Sequence, residues 1–593
     1  MPNKLTFALG QYAALAIVIG ACWGFGSRLL RLAPADARIA AGLAHPMAIT
    51  LGLGLSICLL QWLGIAGMLR VSAVTAILAA GWLLAVWESL QRRHASAAGL
   101  RVSVSVAALK NRWYALTSAE RWTFALLVLC LLSTPIAPLA PPLVWDELMY
   151  HLPHAQQWAA SGRLEVTPWL RYPWFPYNYD LLYAAALLFG YDVLPHLLHA
   201  TAGWLTAWLI YALGKEHLDS TTACVAAALW VYLTRSEYQA AYVDMGVALF
   251  ITAACVAFLQ WRGTRTRYWL LAWTLALGIA AGAKYQVLGL LPLFAAGLAW
   301  HDRRPASWLV ALVGLAVPCA YWYTRNAVLA GDPFSPLGGP IFGFTDWNLS
   351  DHRSQFEDLR RNRGLPDVML WAALLAPWAP TVRRSSAGRT AIVATVWMLV
   401  VWAASSMYPR YLLSAYPLLV LLSAAGGMHL ARTIAAAVPQ VRRIPRAVPA
   451  VLLVLVALSV TATSVKFWKR VAATPAQRDA ILTARVPGYA MWNWLRQQST
   501  ERKTFQIGLE DSIYYAPQPI WGEVFGPWRY RDFTELTPAE LHARLAAEGF
   551  DMLVVHTQRM PQVASRTGFD TFFVLLHADG PVRAYRLATP KAP

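Results

Sequence analysis

Long apolar segments recur along the whole chain, and they constrain its fold more than any other feature of the sequence. About fourteen of them approach the roughly 20 residues that a helix needs to cross the hydrocarbon core of a bilayer. They are centred near residues 16, 55, 79, 131, 203, 228, 249, 276, 293, 315, 374, 398, 420 and 456. The composition agrees, because 58% of the 593 residues are hydrophobic and only 14% are charged. The sequence therefore predicts an α-helical polytopic membrane protein.

The basic residues are distributed as expected for such a protein. The net charge of +19 comes from short arginine and lysine clusters between the apolar segments, so a nucleic-acid partner is not expected. The clusters follow the odd-numbered segments, for example at Arg28 and Arg31 after the first and at Arg262 and Arg265 after the seventh. By the positive-inside rule these loops are cytoplasmic. Both termini and the loops after even-numbered segments are then expected on the outer face.

The composition divides the chain into three parts. Residues 1–120 hold three N-terminal spans and a basic cytoplasmic loop. Residues 121–466 hold the other spans, with outer loops at 141–180 and 326–366. Residues 467–593 are more polar and predict a small extracytoplasmic α/β domain.

Local signals for helix and strand support that domain. The segment TPAE, from Thr537, is a capping box with proline at the first helical position, and the helix is expected to stop at Gly549. MLVVH, from Met552, is typical of a buried strand. A hairpin is expected to turn at Asp579 and the following glycine, and TFQIGL, around Phe505, predicts a further strand.

Titratable residues gather at the predicted outer ends of the spans. VWDELMYHLP places Asp146 and Glu147 just after two prolines that should end an apolar segment. Further ionisable residues at the outer ends of later spans are Asp244, Lys284, Arg325 and Arg410. The three cations break the positive-inside pattern. Because charge near a bilayer is costly, we expect a site where a basic pocket holds phosphate and a carboxylate moves a proton.

The segment after the acid pair also has a second interpretation. LMYHLPHAQQWAASG has helical spacing, with Leu148, Leu152, Ala155 and Trp158 on one side, and is typical of an amphipathic helix on a membrane surface. Acids at its start suit the helix dipole, and its aromatic residues suit the interfacial belt. Taken alone, this segment leaves both interpretations open, whereas the later segments favour a functional site.

Two histidine pairs raise the question of a metal. His151 and His154 are three residues apart, as are His196 and His199, so each pair can share a helical face. A zinc site would need ligands from both pairs at one place. Structural or acceptor-contacting histidines are favoured, because such pairs commonly occur without a metal. No cofactor is therefore expected.

Five short segments resemble, in order, the landmarks of the GT-C superfamily of polytopic glycosyltransferases, which includes the protein O-mannosyltransferases and the aminoarabinose transferase of lipid A. The matching residues are Asp146, Glu147 and Tyr150, then Asp244 in YVD, Gly282 to Tyr285 in GAKY, Arg325-Asn326 with Gly331-Asp332-Pro333, and Arg410-Tyr411. The resemblance covers about residues 121 to 470, with three additional spans before it. YHLP, after the acid pair, is similar to a bacterial branch of this superfamily.

The resemblance implies an inverting glycosyltransferase that moves a hexosyl or pentosyl group from a polyprenyl-phosphate donor to a hydroxyl of a glycan, lipid or protein acceptor. It implies a multi-pass protein of the bacterial inner membrane with its active site facing the periplasm. Asp146 would be the general base, and Glu147 would orient the base or hydrogen-bond the acceptor. The candidates for binding the acceptor or sugar are Tyr150, His151, Arg171 and Asp244, and those for the lipid phosphate are Lys284, Tyr285, Arg325, Arg410 and Tyr411.

Several alternatives remain open at this point. A transporter or flippase of lipid-linked sugars would also carry polar residues in its spans, but it should place them near the mid-plane and show repeated halves. A catalytically inactive scaffold is disfavoured because both Asp146 and Glu147 are present. Arg171, in WLRYPWFPYNYD, either contacts a substrate or anchors its loop. Asp146 with Asp244 could bind a divalent cation in principle, although nothing in the sequence indicates one.

Overall fold

The computed structural model describes residues 3–97, 106–438, 447–498 and 502–588. The helices before the C-terminal domain are α1 (Lys4–Arg31), α2 (Ala41–Ile65), α3 (Val71–Ala97), α4 (Val106–Ala115), α5 (Ser118–Leu132), α6 (Leu152–Ser161), α7 (Asp180–Leu187), α8 (Leu194–His217), α9 (Ser220–Leu233), α10 (Asp244–Thr264), α11 (Arg267–Ala281), α12 (Leu291–His301), α13 (Pro305–Ala330), α14 (Gly339–Phe342), α15 (Leu349–Arg361), α16 (Pro380–Arg384), α17 (Ser386–Ser405), α18 (Tyr416–Ala437) and α19 (Ala447–Trp468). Parts of two predicted basic loops, with Arg101, Arg442, Arg443 and Arg446, lie outside the described residues.

The chain is a multi-pass membrane protein. Within the described ranges, ten helical stretches are long and apolar enough to cross a membrane, and they lie on α1, α2, α3, α5, α8, α10, α13, α17, α18 and α19. All fourteen predicted segment centres fall on helical residues. The other four fall on α9, α11, α12 and the 3₁₀ segment Val368–Trp378, which have only 11 to 15 residues. These four are shorter than the roughly 20 residues that a perpendicular span requires.

Glycines let the N-terminal helices pack closely against one another. A Cβ atom at Gly26 of α1 would collide with the carbonyl oxygen of Ala48 in α2. A Cβ atom at Gly52 of α2 would likewise collide with the carbonyl oxygen of Cys22 in α1. Such small residues allow the backbones of membrane helices to approach each other. The first two of the three additional N-terminal helices are therefore tightly packed against each other.

The C-terminal domain is built on a five-stranded mixed sheet. Its elements are α20 (Pro475–Arg485), α21 (Tyr489–Gln497), β1 (Thr504–Ile507), β2 (Ile520–Trp521), α22 (Arg531–Thr534), α23 (Pro538–Ala547), β3 (Met552–His556), α24 (Pro561–Ala564), α25 (Phe569–Phe572), β4 (Phe573–Asp579) and β5 (Val582–Leu587). The strand order is β2-β1-β3-β5-β4, with β1 parallel to both neighbours and β5 antiparallel to both of its own. The predicted capping box at Thr537, strand β3 and the β4–β5 hairpin are confirmed.

The segment after the acid pair lies inside the protein. A π-helical turn, Glu147–His151, leads directly into α6. Leu148, Leu152 and Trp158 are at most 2% exposed, and His154, outside that predicted apolar side, is also buried. The interpretation as a helix on a membrane surface is therefore wrong, because the predicted apolar side packs inside the protein and not against lipid. Single π turns are frequent at functional sites.

The C-terminal domain covers the ends of the membrane helices. The Tyr515 hydroxyl donates a hydrogen bond of 2.9 Å to the Pro142 carbonyl, at the start of the first predicted outer loop. The Gly526 amide donates one of 3.1 Å to Asp351, in α15 of the second predicted outer loop. The domain, α15 and the helix ends therefore enclose a common space.

Candidate functional site

A cavity of about 890 Å³ occupies that space. Its walls come from both predicted outer loops, the start of α10, the segment after α11, the segment between α17 and α18, and the C-terminal domain. Nine of the eleven predicted site residues line it: Asp146, Tyr150, His151, Arg171, Asp244, Lys284, Tyr285, Arg410 and Tyr411. The volume is in the range of cavities that hold small-molecule ligands.

Two aspartates and two cations form a continuous chain of ion pairs on the cavity wall. Arg410 Nη2 donates a hydrogen bond to Asp146 Oδ2, and Lys284 Nζ donates one to Asp244 Oδ1. Arg410 Nε lies 3.7 Å from Asp244 Oδ2, so Arg410 bridges the two carboxylates. The four side chains have no net charge when all are ionised. An incoming anion can therefore replace either carboxylate as the partner of a cation already in place.

Local structure places these charges at the ends of helices. Asp244 is the first residue of α10, and Arg410 lies in the 3₁₀ turn between α17 and α18. Lys284 follows the end of α11, where Gly282 allows a close approach to Asn178. The Asn178 amide donates a 2.8 Å hydrogen bond to the Gly282 carbonyl, and any Cβ atom at that glycine would collide with the Asn178 side chain. The glycine of the GAKY segment thus fixes the position of Lys284.

The environment of Asp146 favours its ionised form. Burial alone would raise the pKa of this carboxyl group, but the contact with Arg410 outweighs burial and brings the pKa below its ordinary value. His151 and Arg171 add weaker attraction in the same direction. Asp146 is therefore ionised and paired with a cation in this arrangement.

Aromatic rings surround the cations. Lys284 Nζ lies 4.4 Å from the ring centroid of Tyr411. The guanidinium carbon of Arg171 lies between two rings, 4.9 Å from the centroid of Tyr172 and 4.8 Å from that of Phe525. These distances are typical of cation–π contacts. Because Phe525 belongs to the C-terminal domain, Arg171 also anchors its loop to that domain.

Glu147 lies outside the cavity and is fully buried. One oxygen accepts hydrogen bonds from the amides of Leu143 and Val144 at 2.6 and 2.8 Å. The other is 2.7 Å from His196 Nε2 and accepts a 2.7 Å bond from the Ala241 amide. The predicted catalytic role of Glu147 does not fit this placement, since its oxygens are already occupied in holding the turn that presents Asp146.

Arg325 also lies outside the cavity. Its guanidinium donates hydrogen bonds to the Pro173 carbonyl at 3.2 Å and to Asn326 Oδ1, and it packs over Trp322. The predicted contact with a lipid phosphate does not fit this position. Arg325 instead holds the 171–177 part of the first outer loop against α13.

The histidines have separate partners. His151 Nδ1 is 2.7 Å from Asp180, and His154 Nε2 is 2.8 Å from the Arg171 carbonyl. His196 pairs with Glu147, and His199 accepts a 3.1 Å hydrogen bond from the Met245 amide. Across the part of the chain that the structure describes, no group of three or more histidine, cysteine, aspartate or glutamate residues could hold a metal ion. Each of the four histidines therefore has a polar partner within the protein, and His151 also lines the cavity.

Known proteins match parts of this chain. A family model described as SF2091/S2213 matches residues 477–586. The chain is 26% identical to the uncharacterized protein SF2093/S2215 of Shigella flexneri over 204 residues, which are 33% of this chain and 93% of that protein. It is 30% identical to the uncharacterized protein SF2092/S2214 of Shigella flexneri over 133 residues, which are 20% of this chain and 71% of that protein. The chain belongs to the same family as SF2092/S2214.

The fold has a solved counterpart. ArnT from Cupriavidus metallidurans in the apo state superposes with a TM-score of 0.50 at 15% identity, over 80% of this chain and 100% of ArnT. The same protein bound to undecaprenyl phosphate gives a TM-score of 0.49 at 16% identity. This SF2092/S2214 family member therefore has the fold of ArnT, and the fold that the sequence resemblance implies is confirmed.

The sequence did not indicate which residues of the C-terminal domain reach the cavity. Those that line it are Glu510, Val524, Phe525, Tyr530 and Arg531. The aromatic run WGEVFGPW, from Trp521, is an available signal, because clustered aromatic residues in a polar domain commonly mark a binding surface. Nothing in the sequence distinguishes Glu510 from the other acids of this domain.

Glu147→Gln should destabilise the protein. Both carboxylate oxygens of Glu147 now accept hydrogen bonds from N–H groups. The amide nitrogen of glutamine is itself a donor, so it would face another donor inside the protein, where the side chain is fully buried. We expect a loss on the order of 3 kcal/mol, as for other broken buried pairs. The readout is the melting temperature of the purified protein in detergent. Glu165→Gln, an exposed residue of the same loop, is the control and should melt like the wild type. A stable Glu147→Gln protein that has lost only activity would contradict this structural role.

Glu523 should make stability depend on pH. Burial raises the pKa of its carboxyl group to about 7, although Arg171 opposes this shift. The folded state therefore favours the protonated carboxyl group. The contribution of this group to the free energy of unfolding is fully present below the pKa of the unfolded state and is lost as the pH rises through 7. Between pH 5 and pH 8 the wild type should lose up to about 3 kcal/mol relative to Glu523→Gln. Melting curves at both pH values test this, with Glu548→Gln as the exposed control. Parallel behaviour of the wild type and Glu523→Gln would contradict it.

Proposed function

We propose that this protein is an inverting glycosyltransferase that moves a sugar from a polyprenyl-phosphate donor to an acceptor hydroxyl. One observation carries the proposal: Asp146, Arg410, Asp244 and Lys284 converge on one cavity at the ends of membrane helices. A lipid phosphate can reach such a place while its hydrocarbon chain stays in the bilayer. The basic loops at the opposite helix ends support a periplasmic position for this cavity in a bacterial inner membrane.

Lys284 and Arg410 are suited to binding the donor phosphate. Both are cations on the cavity wall, and Arg410 connects to both aspartates. Guanidinium and ammonium groups form strong charge-assisted hydrogen bonds with phosphate oxygens. The phosphate competes with Asp146 for Arg410, so binding of the donor releases the Asp146 carboxylate.

Asp146 is suited to act as the general base. Once Arg410 turns to the phosphate, the attraction that lowers the pKa of Asp146 weakens, and its affinity for a proton rises. The acceptor oxygen then bonds to the anomeric carbon, the bond from that carbon to the phosphate oxygen breaks, and the hydroxyl proton passes to Asp146. The lipid phosphate monoester leaves with its charge held by the two cations. A single displacement inverts the anomeric centre.

The position of the charges supports a transferase more than a transporter. Asp244 begins a span, while Lys284 and Arg410 lie between helices. A transporter of lipid-linked sugars would be expected to place such groups near the middle of its spans. In this protein the charged residues line a cavity whose wall is completed by the C-terminal domain.

The proposal is tested by mass spectrometry of envelope glycans and lipids from a deletion strain, followed by an assay in detergent. We expect the deletion to remove one sugar from an envelope component and to leave a polyprenyl-phosphate sugar unused. The purified protein should then transfer that sugar in detergent micelles, where no membrane separates two compartments. An unchanged envelope would contradict the proposed transfer. Accumulation without transfer in detergent would favour a flippase.

A further inference from the structure

The end of the cavity nearest the C-terminal domain contains a carboxylate with an unused oxygen. Glu510 lines the cavity and is only 8% exposed. Its Oε1 accepts a 3.3 Å hydrogen bond from the Tyr530 hydroxyl, but its buried Oε2 has no hydrogen-bond partner among the residues that the structure describes. A buried oxygen of this kind is costly unless a ligand or water satisfies it. Glu510 therefore indicates a ligand that donates hydrogen bonds.

Aromatic rings lie beside this carboxylate. Phe525 lines the same cavity and packs against Trp347, with ring centroids 4.9 Å apart. Gln355 of α15 adds an amide to the same wall. A surface that combines apolar rings with carboxylate and amide groups suits a ligand with both C–H faces and hydroxyl groups.

The charged side chains at this end of the cavity are mixed in sign. Glu510, Arg171 and Arg531 all line the cavity, so neither an anion nor an amine meets a surface of uniformly opposite charge. A neutral polyhydroxylated molecule can donate hydrogen bonds to Glu510 without bringing an unpaired charge into the cavity.

We infer that the C-terminal domain builds the acceptor subsite, and that the acceptor is a carbohydrate whose hydroxyls bond Glu510 and whose ring packs on Phe525. This inference rests on the proposed function, because only transfer makes a bound carbohydrate an acceptor. Arg171 interacts electrostatically with both Asp146 and Glu510, so the base and the subsite face the same space. Among glycan, lipid and protein acceptors, the structure thus selects a saccharide portion.

The test measures two kinds of binding on the full-length protein in detergent. The probes are an array of bacterial envelope saccharides and undecaprenyl phosphate. The wild type should bind at least one saccharide, and Glu510→Gln should lower that affinity by about tenfold, as expected for one hydrogen bond to a charged group. Phe525→Ala should lower it similarly. Both variants should keep the affinity of the wild type for undecaprenyl phosphate, which also shows that they are folded. Glu548→Gln, an exposed acid of the same domain, should change neither.

The outcomes separate this inference from the proposed function. Saccharide binding by Glu510→Gln at wild-type strength would overturn the subsite. Binding of undecaprenyl phosphate but of no saccharide by the wild type would overturn the acceptor class and leave the donor site intact. Saccharide binding that depends on Glu510, without any binding of undecaprenyl phosphate, would support the subsite and contradict the proposed donor.

Discussion

Asp146→Asn should reduce transfer by about 10²- to 10⁴-fold, the contribution that a positioned general base usually makes. The amide cannot take the proton of the acceptor hydroxyl at neutral pH. Arg410 also pairs with Asp244, so the position of Arg410 and the phosphate site should not change in this variant. The measurement is single-turnover transfer in detergent, together with the affinity for the lipid-linked donor, which should not fall, because the amide carries no charge that competes with the phosphate for Arg410.

A matched control exists in the same protein. Asp192 forms an ion pair with Arg478 away from the cavity. The side chains of this pair are 21% and 29% exposed, close to 19% and 21% for Asp146 and Arg410. Asp192→Asn should therefore lower the stability of the protein by the amount that breaking such an ion pair costs, without reducing the rate of transfer. Full turnover by Asp146→Asn would remove this residue from the role of base.

Arg410→Ala should weaken binding of the donor phosphate by about 10- to 100-fold, since hydrogen bonds to charged groups contribute roughly 1.5–3 kcal/mol. It also leaves Asp146 and Asp244 without the cation that bridges them, which adds repulsion toward an anion. Arg410→Lys should recover only part of the affinity, because an ammonium group lacks the planar fork of arginine. Equilibrium titration with undecaprenyl phosphate gives the result, and Arg478→Ala is the control. Unchanged affinity in Arg410→Ala would contradict the phosphate site.

The sequence predicted that charged residues from distant segments meet in one site, but it did not predict correctly every residue of that site. Five segments in a known order placed Asp146, Asp244, Lys284 and Arg410 at helix ends, and the structure joins all four. Sequence spacing could not tell which of two adjacent acids faces the cavity, because neighbouring residues on a helical turn point about 100° apart. Glu147 consequently points away, toward His196.

Burial explains the other differences. The segment around α6 has the spacing of a surface helix, but a buried helix has the same periodicity when its polar residues find internal partners. His151 finds Asp180, and His154 finds the Arg171 carbonyl. Glu510 could not be predicted from the sequence, because its position on the cavity wall depends on how the C-terminal domain packs on the membrane helices, which no local sequence pattern encodes.

A cryo-EM structure of the protein with undecaprenyl phosphate in a lipid nanodisc tests the central claim most directly. We expect the phosphate within hydrogen-bonding distance of Lys284 Nζ and the Arg410 guanidinium, with Arg410 moved away from Asp146. A phosphate bound instead in the apolar cavity of about 830 Å³ that is lined by Arg262 and Arg389, with the Asp146–Arg410 pair intact, would contradict it.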